Sequence, residues 1–326
     1  MTVTSAPGPV MNRRLALTLA LAPAIALVGG GRPPFARGQM ATPESEGPLQ
    51  VAASSPIFAD IVANVGGDRV SVWSVIPSGA DPHTWEATPV EMVRLTESDT
   101  FIYMGAYLEP FIEDGAWRRA ARDAGIPQLE LASQMLLIAV DRVVDHGDHV
   151  HDLRGGDPHV WLDPLKTVEM VDVIQRHLTE LDPEGEAEYA ANAEAYRDEL
   201  RALDAEYRET LASISPERRK LVVFHDAYTY FAARYKFDVV GIVLPNPEAE
   251  PSARGIADLI ATIEAENIDV VFSEPQFDTG ILDAIAAETG VSVGMLLTDT
   301  FHDDVDTYLE LMRFNLESLQ ELLTEG

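Results

Sequence analysis

The chain has 326 residues, 46% hydrophobic, 24% charged and 7% aromatic, an ordinary globular composition at a length that favours two cores over one. Its 54 acidic residues against 23 basic give a formal charge of −31, which excludes nucleic acid and anionic lipid as partners and draws cations to the surface. It has no cysteine, which excludes disulfides, thiolate ligands and a lipid carried on an N-terminal cysteine; any metal site must be built from His, Asp and Glu. Such an acidic surface suits growth in salt or heat at least as well, so charge alone assigns no metal role.

Residues 1–40 contain Arg13, Arg14, Arg32 and Arg37 and no acidic residue. The arginine pair precedes the apolar run LALTLALAPAIALVGG, the layout of an export signal. That run is short and broken by Pro23, which favours a removable signal over a membrane anchor. The pair leaves the export route open. Residues 37–48 are polar and rich in Pro and Gly, a flexible leader, so the expected folded part starts near Leu49.

From there the pattern predicts strand 49–53, helix 56–66, strand 69–76, helix 88–98, strand 100–104, helix 109–124 and strand 127–131. A second series runs through strand 220–224, helix 226–235, strand 238–243, helix 252–266, strand 269–273, helix 278–289, strand 291–297 and a helix over about 304–323. Alternation of this kind reads as βαβ units and parallel sheets. Between the two series, 186–214 has no Gly or Pro and spaces Tyr189, Ala193, Tyr196, Leu200, Leu203 and Tyr207 by three and four, a long amphipathic helix. The e and g charges are unpatterned, which disfavours a coiled coil. The expected organisation is a signal and leader over 1–40, an N-terminal lobe over 41–185, a connecting helix over 186–214 and a C-terminal lobe over 215–326.

Eight histidines are present, and three keep unusual company. His83 lies in PSGADPHTWEATP, stiffened by Pro77, Pro82 and Pro89; His159 lies in GGDPHVWLDP, a Pro-bounded loop entering a helix; His225 ends the strand KLVVF. The D-P-H string occurs twice, at 81–83 and 157–159. In parallel sheets ligands bind beyond the carboxyl ends of strands, so these imidazoles are placed to meet in a cleft between two lobes. Asp299, just past strand 291–297, is the best placed fourth donor, although an Asp there also suits a helix cap. Three neutral imidazoles and one carboxylate satisfy tetrahedral zinc without thiolates. Asp81, Asp157, Glu86 and Asp163 are the candidates to hold the second imidazole nitrogens. Glu274, in SEPQF, reads as an ordering carboxylate, and Trp85 and Trp161 as packing that shields the cleft.

In DPHTWEATP, DPHVWLDP, FHDAYTYFAARY, SEPQF and TDT, the sequence resembles the metal-binding solute-binding proteins of ABC importers, the group of ZnuA-like, TroA-like and AztC-like proteins, over residues 49–324. The resemblance implies two α/β sandwich lobes with mostly parallel sheets joined by one long rigid helix. It places the metal in the cleft on His83, His159, His225 and Asp299, and makes the chain a non-enzymatic, monomeric carrier exported to the periplasm or the outer face of the membrane, with a membrane permease as partner. Manganese-preferring relatives typically carry Glu at the third position, so His225 points to zinc, with manganese the alternative. The stretch DHGDHVHDLRGGDPH is a shortened form of the relatives' His-rich loop; His146, His149 and His151 form either a weak auxiliary zinc site or part of a mobile acidic loop. A zinc hydrolase lacks support, since no H-E-x-x-H helix or general base beside a ligand pair is present. An adhesin is permitted by the resemblance but not favoured. The long helix predicts closure by small lobe shifts and ordering of the loops around His159 and Asp299.

Overall fold

The computed structural model describes residues 47–113, 115–139, 143–145, 150–152, 156–245 and 251–324. The expected signal and leader over 1–40, and His146 and His149, lie outside the described residues, and His151 is described in its backbone only. No described helix is long and apolar enough to cross a membrane.

The first series folds as β1 (Leu49–Ala53), α1 (Pro56–Gly66), β2 (Val70–Ser74), α2 (Pro89–Leu95), β3 (Thr100–Tyr103), α3 (Pro110–Glu113), α4 (Ala116–Asp123) and β4 (Gln128–Glu130). The four strands form a parallel sheet in the order β2-β1-β3-β4. The order reverses at β1, and a crevice opens there beyond the strand ends. Helix α1 begins where Ser55 caps it and Pro56 presets its first turn, and it buries Ile57, Phe58, Ile61, Val62 and Val65 on the sheet side. The expected helix 109–124 is instead two pieces, because Gly115 takes φ 86°, a left-handed conformation that ends one helical ladder before the next begins.

Two elements lie where the sequence patterns left loop or gave no assignment. One is the antiparallel hairpin of β5 (Val143–Asp145) and β6 (Val150–Asp152), in the stretch read as a loop. The other is α5 (Pro164–Leu181), capped by Asp163 and started by Pro164; the Pro-bounded loop before it signals a helix start but not its length. Next come α6 (Glu186–Leu211), β7 (Lys220–His225), α7 (Thr229–Tyr235), β8 (Asp238–Leu244), α8 (Ala253–Glu266), β9 (Val270–Ser273), α9 (Gly280–Thr289), β10 (Ser292–Met295) and α10 (Tyr308–Thr324). β7 pairs in parallel with β8, and β9 with β10, as two two-stranded sheets, and β7 lies alongside β9.

Helix α6 ties the halves together. At 1.5 Å per residue its 26 residues span about 39 Å. The predicted stripe of Tyr189, Ala193, Tyr196, Leu200, Leu203 and Tyr207 is buried throughout, against α1, α5 and α10. Polar contacts fix its register. The Tyr207 hydroxyl donates to the Met312 carbonyl in α10, and Arg197 meets Asp172 of α5 at 2.6 Å. Asp204 receives Arg234 of α7 through two bonds of 2.7 Å, a forked pair that specifies orientation as well as distance. The same guanidinium lies 3.2 Å from Asp163 at the start of α5. Truncating Leu203 to alanine is expected to cost about 2–5 kcal/mol, read as a lower urea midpoint at unchanged slope. A change of slope instead would mean that the halves unfold separately.

Between β3 and α3 the chain turns through Gly105, Ala106 and Tyr107, all left-handed at φ 78°, 53° and 62°. Two of these are not glycine, a conformation that is held only when surrounding bonds over-determine it. The buried Glu109 carboxyl supplies them: it accepts from Met104 N and Gly105 N at 3.0 Å each and meets Ser54 Oγ at 2.5 Å at the end of β1. Burial pushes its pKa up to about 7, against the pull of those donors. Because the folded value lies above the unfolded one, this contribution to stability is complete below about pH 4.5 and is lost as pH rises through about 7. Relative to Glu109→Gln, the wild type is expected to lose on the order of 3 kcal/mol between pH 4.5 and 8. Parallel urea curves for the two proteins across that window would contradict it.

Candidate metal centre

Each of the four residues singled out stands beyond the carboxyl end of a strand or in the loop that follows one. His83 comes from the loop after β2, where the Asp81 carboxylate takes the His83 N–H at 3.0 Å and the Thr84 hydroxyl at 2.7 Å. His159 precedes a single 3-10 turn leading to α5. His225 is the last residue of β7, and Asp299 follows β10. The structure brings all four together: one donor atom from each lies within 4.8 Å of every other.

His83 Nε2 and His159 Nε2 are 3.2 Å apart. His225 Nε2 stands 3.2 Å from Asp299 Oδ2, His159 Nε2 3.8 Å from Oδ1, and His83 Nε2 3.9 Å from Oδ2. A tetrahedral ion with bonds of about 2.0–2.1 Å spaces its donors about 3.3–3.4 Å apart, so these separations suit one. The Asp299 side chain is 0% exposed, yet among the described residues neither oxygen has a hydrogen bond that meets both distance and angle; a close approach is that of His225 Nε2 at 3.2 Å. A buried carboxylate left in that state is costly unless a cation answers it.

The outer nitrogens are held as metal-binding imidazoles require. His159 Nδ1 bonds Asp157 Oδ1 at 2.7 Å, and His225 Nδ1 bonds Glu274 Oε1 at 2.8 Å, so both rings turn Nε2 to the centre. Among the four candidate partners, Asp157 holds an imidazole, Asp81 shapes the His83 backbone, and Asp163 caps α5. Glu86 makes no contact with a ligand ring among the described residues. Glu274 orders His225 as expected, with its other oxygen taken by Gln276 Nε2 at 2.9 Å and by the Thr298 hydroxyl. Trp161 is buried, and its Nε1 also donates to the Thr298 carbonyl at 2.8 Å, a bond across the cleft that packing arguments do not reveal. On the other side of Asp299, the Thr300 hydroxyl accepts from Gly79 N at 2.6 Å. The only sequence signal for either threonine is that a hydroxyl flanks Asp299 on each side.

The site is electrostatically uneven. Burial drives the His83 pKa down to about 3 despite the nearby Asp299. Burial acts the same way on His225, but the Glu274 and Asp299 charges overcome it and raise that pKa well above the usual histidine value. Burial would raise Asp299, yet His225, His159 and His83 hold it well below the carboxylate range. Burial and the Asp299 charge lift Asp81 to about 6. In metal-free protein at pH 6, nitrogen NMR is therefore expected to show a neutral His83 beside a protonated His225. The folded state then binds fewer protons than the unfolded chain at His83 below pH 6.5 and more at His225 above it, so the two act on stability with opposite sign. Both rings titrating together near 6.5 would refute the assignment.

The family model for zinc-uptake complex component A, periplasmic, matches residues 51–322. The manganese-binding lipoprotein MntA of Halalkalibacterium halodurans is 28% identical over 281 residues, covering 85% of this chain and 89% of that protein. The zinc-binding lipoprotein AdcA of Streptococcus pneumoniae is 27% identical over 290 residues, covering 85% of this chain and 56% of the longer relative. The periplasmic zinc-binding protein TroA from Treponema pallidum superposes with a TM-score of 0.74 at 26% identity, covering 86% of this chain and all of that one. The chain thus belongs to the zinc-uptake component A family, the extracytoplasmic metal-binding components of ABC importers.

Proposed function

We propose that the chain captures zinc in the cleft on His83, His159, His225 and Asp299 and delivers it to the permease of an ABC importer. The lobes of this reading are residues 41–185 and 215–326, joined by 186–214. The observation that carries it is the convergence of three Nε2 atoms on one buried carboxylate that has no hydrogen-bond donor among the described residues. Three neutral imidazoles and one carboxylate leave a divalent ion at net +1, a charge a buried site tolerates better than +2.

Relatives are named for both metals, and the donor set is what supports zinc here. Nitrogen-rich coordination suits zinc, and manganese favours oxygen. Four protein donors leave no open position for an activated water, which disfavours a hydrolase. Metal analysis of protein purified without added metal is expected to find zinc. Competitive titration should place zinc roughly tenfold or more tighter than manganese, in line with the general affinity order, and His225→Glu should narrow that gap by weakening zinc. Unchanged zinc affinity in His225→Glu would remove the basis for the preference.

A further inference from the structure

Asp299 is the middle of three consecutive buried polar residues, Thr298, Asp299 and Thr300. The threonines do not cap a helix. Thr298 bonds toward the segments of two imidazoles and Thr300 toward that of the third. The Thr298 carbonyl accepts from Trp161 Nε1 at 2.8 Å, two residues beyond His159. The Thr298 hydroxyl donates to Glu274, whose other oxygen holds His225 Nδ1 at 2.8 Å. The Thr300 hydroxyl accepts from Gly79 N at 2.6 Å, in the loop that carries His83. Two of these three bonds cross from the second half of the chain to the first.

We propose that Thr298 and Thr300 are positioning residues that couple the other three ligand segments to Asp299, so that this triplet governs how long the metal is held. The proposal rests on the ligand set given above. Its physical content is that a displacement of the triplet disturbs every donor at once: Asp299 directly, His225 through Glu274, His159 through Trp161 and His83 through Gly79. A partner that pulled on this one strand-end segment would lower the coordination without unfolding either lobe. Release would then be a local event and would need no bending of α6.

The test is zinc dissociation into excess chelator, followed in the full chain and in double-mutant combinations. Thr300→Val is expected to speed dissociation about tenfold, since it leaves the Gly79 N–H without its acceptor. That effect should vanish in a His83→Ala background and persist in His225→Ala. Thr298→Val should behave the opposite way, losing its effect in His225→Ala and keeping it in His83→Ala. Thr300→Ser, which keeps the hydroxyl, should release at the wild-type rate, and this separates a lost bond from a merely weakened fold. Effects of the same size in every background would overturn the coupling while leaving the ligand set intact. Wild-type zinc affinity in Asp299→Ala would overturn the ligand set itself, and the coupling with it.

Discussion

A carboxylate removed from water with no hydrogen-bond donor is the constraint on which this structure turns. Asp299 is buried among three imidazoles, and among the described residues neither of its oxygens has a hydrogen-bond partner. Desolvating such a group costs several kcal/mol in real proteins. Such an enclosure needs positive charge close by, and the imidazoles of His83, His159 and His225 are the groups around it. The raised pKa of His225 follows from the Glu274 charge first and the Asp299 charge second, and the depressed one of Asp299 from the imidazoles beside it.

That constraint demands rigid surroundings, because an ångström of slack would admit water. The stiffness comes from several levels. Prolines frame the loops of His83 and His159. Parallel strands deliver His225 and Asp299 near their carboxyl ends. Helix α6 packs on α1, α5 and α10, and Arg234 fastens α7 both to that helix and to the start of α5, four residues beyond His159. Tyr308, at the start of α10, adds a return link: its N–H reaches Asp60 on α1 at 3.0 Å, and its hydroxyl reaches the Trp161 carbonyl at 2.7 Å. The last helix of the chain thus closes onto the first half.

Most of the alternating architecture was legible, because β-branched runs and three-four apolar spacing report local structure directly. The long helix was clearest, since its buried stripe is uninterrupted by Gly or Pro. Where local signals conflicted, the reading failed. A single glycine looks tolerable inside a helical pattern, yet Gly115 splits one expected helix into α3 and α4. The hairpin of β5 and β6 sits in an acidic, His-containing stretch that reads as loop. The four converging residues were found because D-P-H recurs and because His225 and Asp299 stand at strand ends. Their supports were only partly found: Asp157 and Glu274 lie close to a ligand or in a strand-end motif, whereas the Trp161 bond to Thr298 joins positions 137 residues apart and leaves no local trace.

The four side chains are not equally sheltered. His83 retains 12% of its side-chain surface, against 5% for His159, 1% for His225 and none for Asp299. The centre therefore has a front door and a back wall. Anything that reached this centre from water would pass the His83 ring first, with the Asp299 carboxylate behind it. Exposure thus grades from the carboxylate outward to one ring, and that ring rides on the loop that Thr300 holds through Gly79.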